Sequence, residues 1–154
     1  MSLTEGAPAP DFTLPATGGR NVSLAGLKGQ PFVLYFYPRA GTPGCTKEAC
    51  AFQEGLPDFA RLGVTVIGVS KDSMKALEKF AEKYNLAFPL ASDPETKMID
   101  AYGAWLEKSL YGKKYMGIER STVLVDSHGV VAKIWPKVKV TGHAEEVLQA
   151  VKAL

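Results

Sequence analysis

Hydrophobic positions in this chain fall into short blocks, and the spacing within them switches between strand and helix periods. Phe32-Val33-Leu34-Tyr35-Phe36-Tyr37 is a continuous apolar run of β-branched and aromatic residues ending at Pro38. That is the pattern of a central strand buried on both faces. Val64-Thr65-Val66-Ile67-Gly68-Val69-Ser70 reads as a second such strand. Between them a helical segment is expected from about Pro43 through Phe52, with Pro57 interrupting or kinking it before Leu62. Met74, Leu77, Phe80, Ala81 and Tyr84 fall at helical spacing behind Asp72 or Ser73, either of which can cap the helix. Phe88-Pro89-Leu90 reads as a short edge-like strand, and about Glu95 to Tyr102 as another short helix. Phe12-Thr13-Leu14 and Val22-Ser23-Leu24 flank Gly18-Gly19 as an N-terminal hairpin. Ser121–Asp126 and Val130–Trp135 form a second hairpin around Ser127-His128-Gly129. The last helix starts near Thr141-Gly142 and presents Val147, Leu148 and Val151 on one face. Buried strands alternating with helices predict an α/β fold, a mixed sheet with helices on both faces. With no repeat, low-complexity tract or linker, residues 1–154 read as a single domain.

Composition changes this picture little. A chain of 154 residues can bury one sizeable core. The net charge is only +2, from 18 basic and 16 acidic residues that are interspersed along the chain. No basic stripe suited to nucleic acid emerges; Lys113, Lys114, Lys133, Lys137 and Lys139 read as a solvated face. Met1–Gly6 lacks the basic and apolar segments of a secretory signal, and no apolar stretch approaches the roughly 20 residues needed to span a bilayer. The expected compartment is the cytoplasm, with no membrane partner.

The candidate chemistry lies just beyond the first buried strand, where ligands of open α/β sheets tend to sit. There are two cysteines, Cys45 and Cys50. In a reducing compartment such a pair is more often reactive than a permanent cross-link. Thr42 suits an N-cap and Pro43 the first helical position, which places Cys45 at the third. There the sulfur can accept hydrogen bonds from unpaired backbone N–H groups, and the helix dipole favours negative charge. Helix N-termini are where reactive thiolates are found. In an ideal helix residues i and i+5 lie roughly 8.7 Å apart at Cα. A disulfide wants at most about 6.8 Å. The two cysteines therefore cannot bond across an intact helix, and this fits a redox switch, helical when reduced and locally unwound when oxidised.

Pro38, Thr42 and Cys45 match the pattern P-x-x-x-T-x-x-C, and this stretch resembles the peroxiredoxins. Cys50, five residues after Cys45, points to the bacterioferritin comigratory protein, or peroxiredoxin Q, subfamily. Further blocks in order carry the resemblance over nearly the whole chain: Gly6–Phe12, Gly68–Ser73, Ser92-Asp93-Pro94, Gly117–Thr122 and Gly142–Leu148. One departure is Ala40-Gly41, where relatives usually carry an acidic residue. The resemblance implies a thioredoxin-like fold and a thiol peroxidase acting on hydrogen peroxide and organic hydroperoxides. In it Cys45 would be the peroxidatic nucleophile and Cys50 would resolve its sulfenic acid as an intramolecular disulfide. Thr42 would offer its hydroxyl to the peroxide, Arg120 would supply cationic hydrogen bonds, and Pro38 would wall the pocket. Glu48 would support Arg120 or steady the helix. Thioredoxin or a similar dithiol would regenerate the enzyme. No cofactor is implied, and the absence of a further cysteine suits a monomer, with a weak dimer left open.

Other residues read more plainly. His128 is a turn residue and His143 a structural one in the first turn of the last helix. Two histidines far from a C-x-x-x-x-C pair make a weak case for zinc. Trp105, Trp135 and Leu110–Tyr115 read as packing or loop anchors. Two competing functions remain at this stage. A thioredoxin-like disulfide reductase would ordinarily carry C-x-x-C, which this chain lacks. A non-enzymatic redox sensor or holdase could use the same helix unwinding.

Overall fold

The computed structural model describes residues 3–154; Met1 and Ser2, part of the N-terminal segment considered above, lie outside them. The first hairpin pairs β1 (Thr13–Ala16) with β2 (Arg20–Ser23), and a single turn, α1 (Leu24–Leu27), follows. Then come β3 (Phe32–Phe36), α2 (Pro43–Arg61), β4 (Thr65–Ser70), α3 (Met74–Tyr84), β5 (Leu90–Ser92) and α4 (Lys97–Ala101). A separate ribbon, β6 (Trp105–Leu110) and β7 (Lys113–Ile118), precedes β8 (Ser121–Val125), β9 (Val131–Trp135) and α5 (His143–Lys152).

The main sheet has seven strands in the order β2-β1-β5-β4-β3-β8-β9. It is mixed: β3, β4 and β5 are parallel, while β8 runs antiparallel to β3 and β1 to β5. Every residue of β3 is buried because both faces are covered. Val33, Tyr35 and Tyr37 pack with α2, α3 and α5; Phe32, Leu34 and Phe36 pack with Phe12, α4 and the N-terminal segment.

Three local expectations are corrected. The segment around Phe88-Pro89-Leu90 is not an edge: β5 lies between β1 and β4 and is wholly buried. Pro89 misleads because it stands just outside the strand, where its carbonyl still accepts from Gly68 N at 3.1 Å. Pro57 does not interrupt α2, which is continuous to Arg61. Phe52 and Phe59, buried on either side of the proline, hold both halves against the sheet. Leu110–Tyr115 is not a loop but the tip of the β6–β7 ribbon, turning at Tyr111 and Gly112 with positive φ of 51° and 78°. That geometry is a primed hairpin turn, for which Tyr-Gly is an uncommon signal.

Gly68 has a packing reason for being glycine. A Cβ there would lie 2.8 Å from both Cζ and the hydroxyl oxygen of Tyr35 and 2.9 Å from Leu90 Cδ2. The Tyr35 ring cannot easily yield, because it stacks on Phe52 at 4.7 Å and meets Phe88 edge-on at 6.0 Å. Gly68→Ala is therefore expected to cost about 1–3 kcal/mol, the usual range for overpacking, as read by chemical denaturation. A variant as stable as the parent would show that the Tyr35 layer is looser than this packing implies.

Candidate active site

The site forms where β3 ends and α2 begins. Tyr37 N donates to Val69 O at 3.1 Å, so the chain leaves the sheet beside β4. Pro38, half-buried, opens the loop that carries Thr42 to the start of α2. Thr42 is the N-cap, Pro43 follows as the first helical residue, and Cys45 falls at the third position as expected. The cap is made by the backbone alone. Thr42 O accepts from Thr46 N at 2.9 Å, whereas the Thr42 hydroxyl donates back to Arg39 O at 2.8 Å. The hydroxyl thus braces the loop rather than the helix end.

Cys45 is buried, with 1% exposure, and both cysteines are free thiols. Arg120 reaches the sulfur from the short link between β7 and β8. Its Nη2 donates to Cys45 Sγ at 3.4 Å and its Nη1 donates to Glu48 Oε1 at 2.7 Å. One planar guanidinium thus holds two groups that lie one turn apart on α2, which a point-charge ammonium does less well. Glu48, not Glu119, is its ion-pair partner. Gly44 lets the guanidinium approach, since a Cβ there would stand 3.1 Å from Nη2. Cys50 lies further along the same intact helix and is half-buried. The structure thus brings Cys45, Arg120 and Glu48 into contact. Pro38 and Thr42 stand on the adjoining loop, and Cys50 stands apart on the helix.

Two residues of this region had no site role in the sequence reading. Gly44 carries no local signal beyond its place between Pro43 and Cys45. Asp72 was a candidate helix cap, but Ser73 makes that cap by accepting from Ala76 N at 3.2 Å. The Asp72 carboxylate instead accepts from Ala40 N at 2.8 Å, in the loop before Thr42. His143 is structural: its Nε2 and the Thr122 hydroxyl share a 2.7 Å hydrogen bond, and its ring meets Phe52 and Trp135 edge-on. Burial holds His143 below its ordinary value, with Glu146 pulling the other way. Among the described residues no cluster of His, Cys, Asp or Glu is arranged to hold a metal ion.

The AhpC/TSA family model matches residues 6–134, most of the chain. The chain belongs to the AhpC/TSA family. A putative peroxiredoxin Bcp of Coxiella burnetii is 51% identical over 148 residues, covering 96% of this chain and 98% of that relative. Peroxiredoxin Bcp of Bacillus subtilis is 48% identical over 152 residues, covering 99% and 97%. Among solved structures, the bacterioferritin comigratory protein of Xanthomonas campestris superposes with a TM-score of 0.92 at 42% identity, covering 97% of this chain and 98% of that one. That protein was studied for alkyl peroxide reduction. The thioredoxin-like architecture expected from the sequence is thus the fold of the peroxiredoxin Q group, and the chain is a thiol-dependent peroxidase of this kind.

Within this peroxiredoxin site the electrostatics are set by Glu48. Its side chain is 2% exposed and one oxygen, Oε2, has no hydrogen-bond partner. Burial pushes its carboxyl up from 4.5 to about 7, although the Arg120 guanidinium pulls it down. For Arg120, burial works to lower the pKa, but Glu48 and Cys45 outweigh it and the net shift is upward. The folded state therefore binds a proton at Glu48 more tightly than the unfolded chain does. Stability from that proton is fully present below about pH 4.5 and is lost as pH rises through about 7. Denaturation of wild type and Glu48→Gln across this range should show the wild type losing ground with rising pH, by at most about 1.4 kcal/mol per pH unit for one proton. Above about 8 the difference should flatten. Parallel stability curves for the two proteins would mean that Glu48 is not titrating in this window.

Proposed function

We propose that Cys45 is the peroxidatic nucleophile and Cys50 the resolving thiol of an intramolecular two-cysteine cycle. The Cys45 thiolate attacks one oxygen of the peroxide and the O–O bond breaks. The departing oxygen takes up a proton and leaves as water or an alcohol, and Cys45 is left as sulfenic acid. The Cys50 sulfur then attacks Cys45 Sγ, water leaves, and a disulfide forms. A dithiol reductant of the thioredoxin type supplies two electrons and two protons to restore both thiols. Arg120 donates hydrogen bonds to the sulfur and to the peroxide as charge moves between them. Thr42 offers its hydroxyl to the peroxide by turning from Arg39, and Pro38 walls the pocket. Hydrogen peroxide and organic hydroperoxides are the substrate class; the alkyl peroxide reduction studied in the Xanthomonas campestris protein supports the second. We place the enzyme in the cytoplasm as a monomer, since resolution within one helix requires no second subunit.

The observation that carries this reading is the 3.4 Å hydrogen bond from Arg120 to a buried sulfur in the first turn of α2. The test is stopped-flow tryptophan fluorescence of reduced protein mixed with hydrogen peroxide. Trp135 is a suitable reporter, because it packs on His143, which in turn packs on Phe52 of α2. A fast phase that scales with peroxide should appear in wild type and vanish in Cys45→Ser. A wild-type thiol no faster than a free cysteine would sink the proposal.

A further inference from the structure

We propose that Asp72 is a positioning residue for the loop that meets peroxide. It keeps the backbone up to Ala40 with the sheet, and the pivot at which α2 gives way when the disulfide forms is a separate feature, lying between Gly41 and Gly44. This rests on the Cys45–Cys50 cycle proposed above.

The argument begins with how firmly Asp72 is itself held. It stands two residues beyond the fully buried Ser70, at the end of β4. Ser70 Oγ donates to Asp72 Oδ2 at 2.8 Å and accepts from Asp72 N at 3.2 Å. Ser92 Oγ, at the end of β5, donates to Asp72 O at 2.6 Å, and Asp93 N donates to Ser70 O at 2.8 Å. Asp72 is thus tied into the ends of two neighbouring parallel strands. From that platform Oδ2 reaches out to accept the Ala40 N–H at 2.8 Å. Hydrogen bonds from backbone to an ionised carboxylate are among the stronger ones.

This bond is well placed to matter. Pro38 has no N–H to donate, and the Thr42 hydroxyl, until it turns to the peroxide, bonds within the loop to Arg39 O. Among the described residues, the Ala40–Asp72 bond is the one hydrogen bond from a side chain of another element to residues 38–42. Beyond it the chain changes character. Gly41 has φ of 85°, and a Cβ there would meet nothing within 4 Å; Gly44 sits in the first turn of α2. A bolted residue followed by Gly41, whose surroundings are open, and by Gly44, which has no side chain to restrict its backbone, is the arrangement of a hinge. The first turns of α2 can swing about that hinge to bring Cys45 toward Cys50 while Pro38 and the backbone to Ala40 keep the shape of the pocket. Asp72 makes no hydrogen bond to Cys45, so it acts through the loop and not on the reacting atoms.

Two kinetic phases separate the two jobs: a peroxide-dependent one for sulfenic acid formation and a peroxide-independent one for disulfide closure. Asp72→Ala should slow the first by about 10- to 100-fold, the scale of a modest misplacement of a reacting geometry. The second should stay within about threefold of wild type, because the glycine hinge is untouched. Asp72→Asn, which keeps an acceptor oxygen, should recover most of the first phase. Should Asp72→Ala fail to fold, Asp72→Glu, with the carboxylate one methylene farther out, carries the test with the same expected split. A first phase at the wild-type rate in Asp72→Ala or Asp72→Glu would overturn the proposal. So would equal slowing of both phases, since that is what general loosening of the fold produces. Failure of the underlying cycle reads differently: the wild type itself would lack a peroxide-dependent phase that Cys45→Ser removes.

Discussion

The Cys50→Ser protein should consume about one equivalent of peroxide per chain at the wild-type rate and then stall when the only reductant is a thioredoxin-type dithiol. The chain has two cysteines in all, so no other thiol of the same molecule can attack the sulfenic acid. In the intact α2 helix both are free, one buried and one half-buried, at a spacing too long for a disulfide. In the proposed cycle the first chemical step uses Cys45, Arg120 and the loop before them, and among the described residues Cys45 and Glu48, not Cys50, are the side chains that Arg120 bonds. The stalled sulfenic acid should then collect a further oxygen under excess peroxide, giving a sulfinic acid that thiols do not reverse. Mass spectrometry would see that product, and a coupled assay would see the loss of turnover. Steady cycling at the wild-type rate would mean that an outside thiol resolves Cys45 directly.

Arg120→Met should lower the second-order rate with peroxide by about 10²–10³, the range found when one well-aimed donor is removed from a reaction centre. Two separate losses contribute. The hydrogen bond to Cys45 Sγ at 3.4 Å disappears, and the positive charge that favours negative sulfur goes with it. Glu48 also loses its 2.7 Å partner and is left as a buried carboxyl with no counter-charge. It will then hold its proton more tightly, since burial already pushes it upward. Arg120→Lys should fall between the two, because one ammonium cannot bracket both Glu48 and Cys45 with the same geometry. Adding Glu48→Gln to Arg120→Met should recover stability without recovering rate. If Arg120→Met reacts as fast as wild type, the guanidinium serves the fold and not the chemistry.

Much of this site could be read before any coordinates, and the reason is local. Thr42-Pro43 marks a helix start by rules that act within one turn, so Cys45 could be placed at its third position. The i, i+5 spacing of the cysteines then carried its own geometric argument. The buried strands β3 and β4 were equally plain as continuous apolar runs. Arg120 was not legible in that way. It lies 75 residues from Cys45, and only family resemblance singled it out from the other basic residues. Asp72 was harder still. Its sequence position suggested a helix cap, and its true partner, Ala40 N, is 32 residues away. The β6–β7 ribbon was missed because most of its residues are exposed and no alternating pattern marks it. The position of β5 depended on strand order, which no local pattern encodes.

The layer in which Tyr35 stacks on Phe52 has one more consequence. It divides α2 into a first part, Pro43 to Ala51, and a second part bolted to the sheet. In the proposed cycle, unwinding that halts before Phe52 draws out Cys45, Glu48 and Ala49 from the buried residues of α2 and leaves Phe52 and Phe59 in place. A protein that opens part of itself on every turnover would otherwise risk displaying the adhesive surface from which aggregates grow. Here the portion that would open in the proposed cycle carries no aromatic side chain of its own, so the helix's own aromatic anchors need not leave the core.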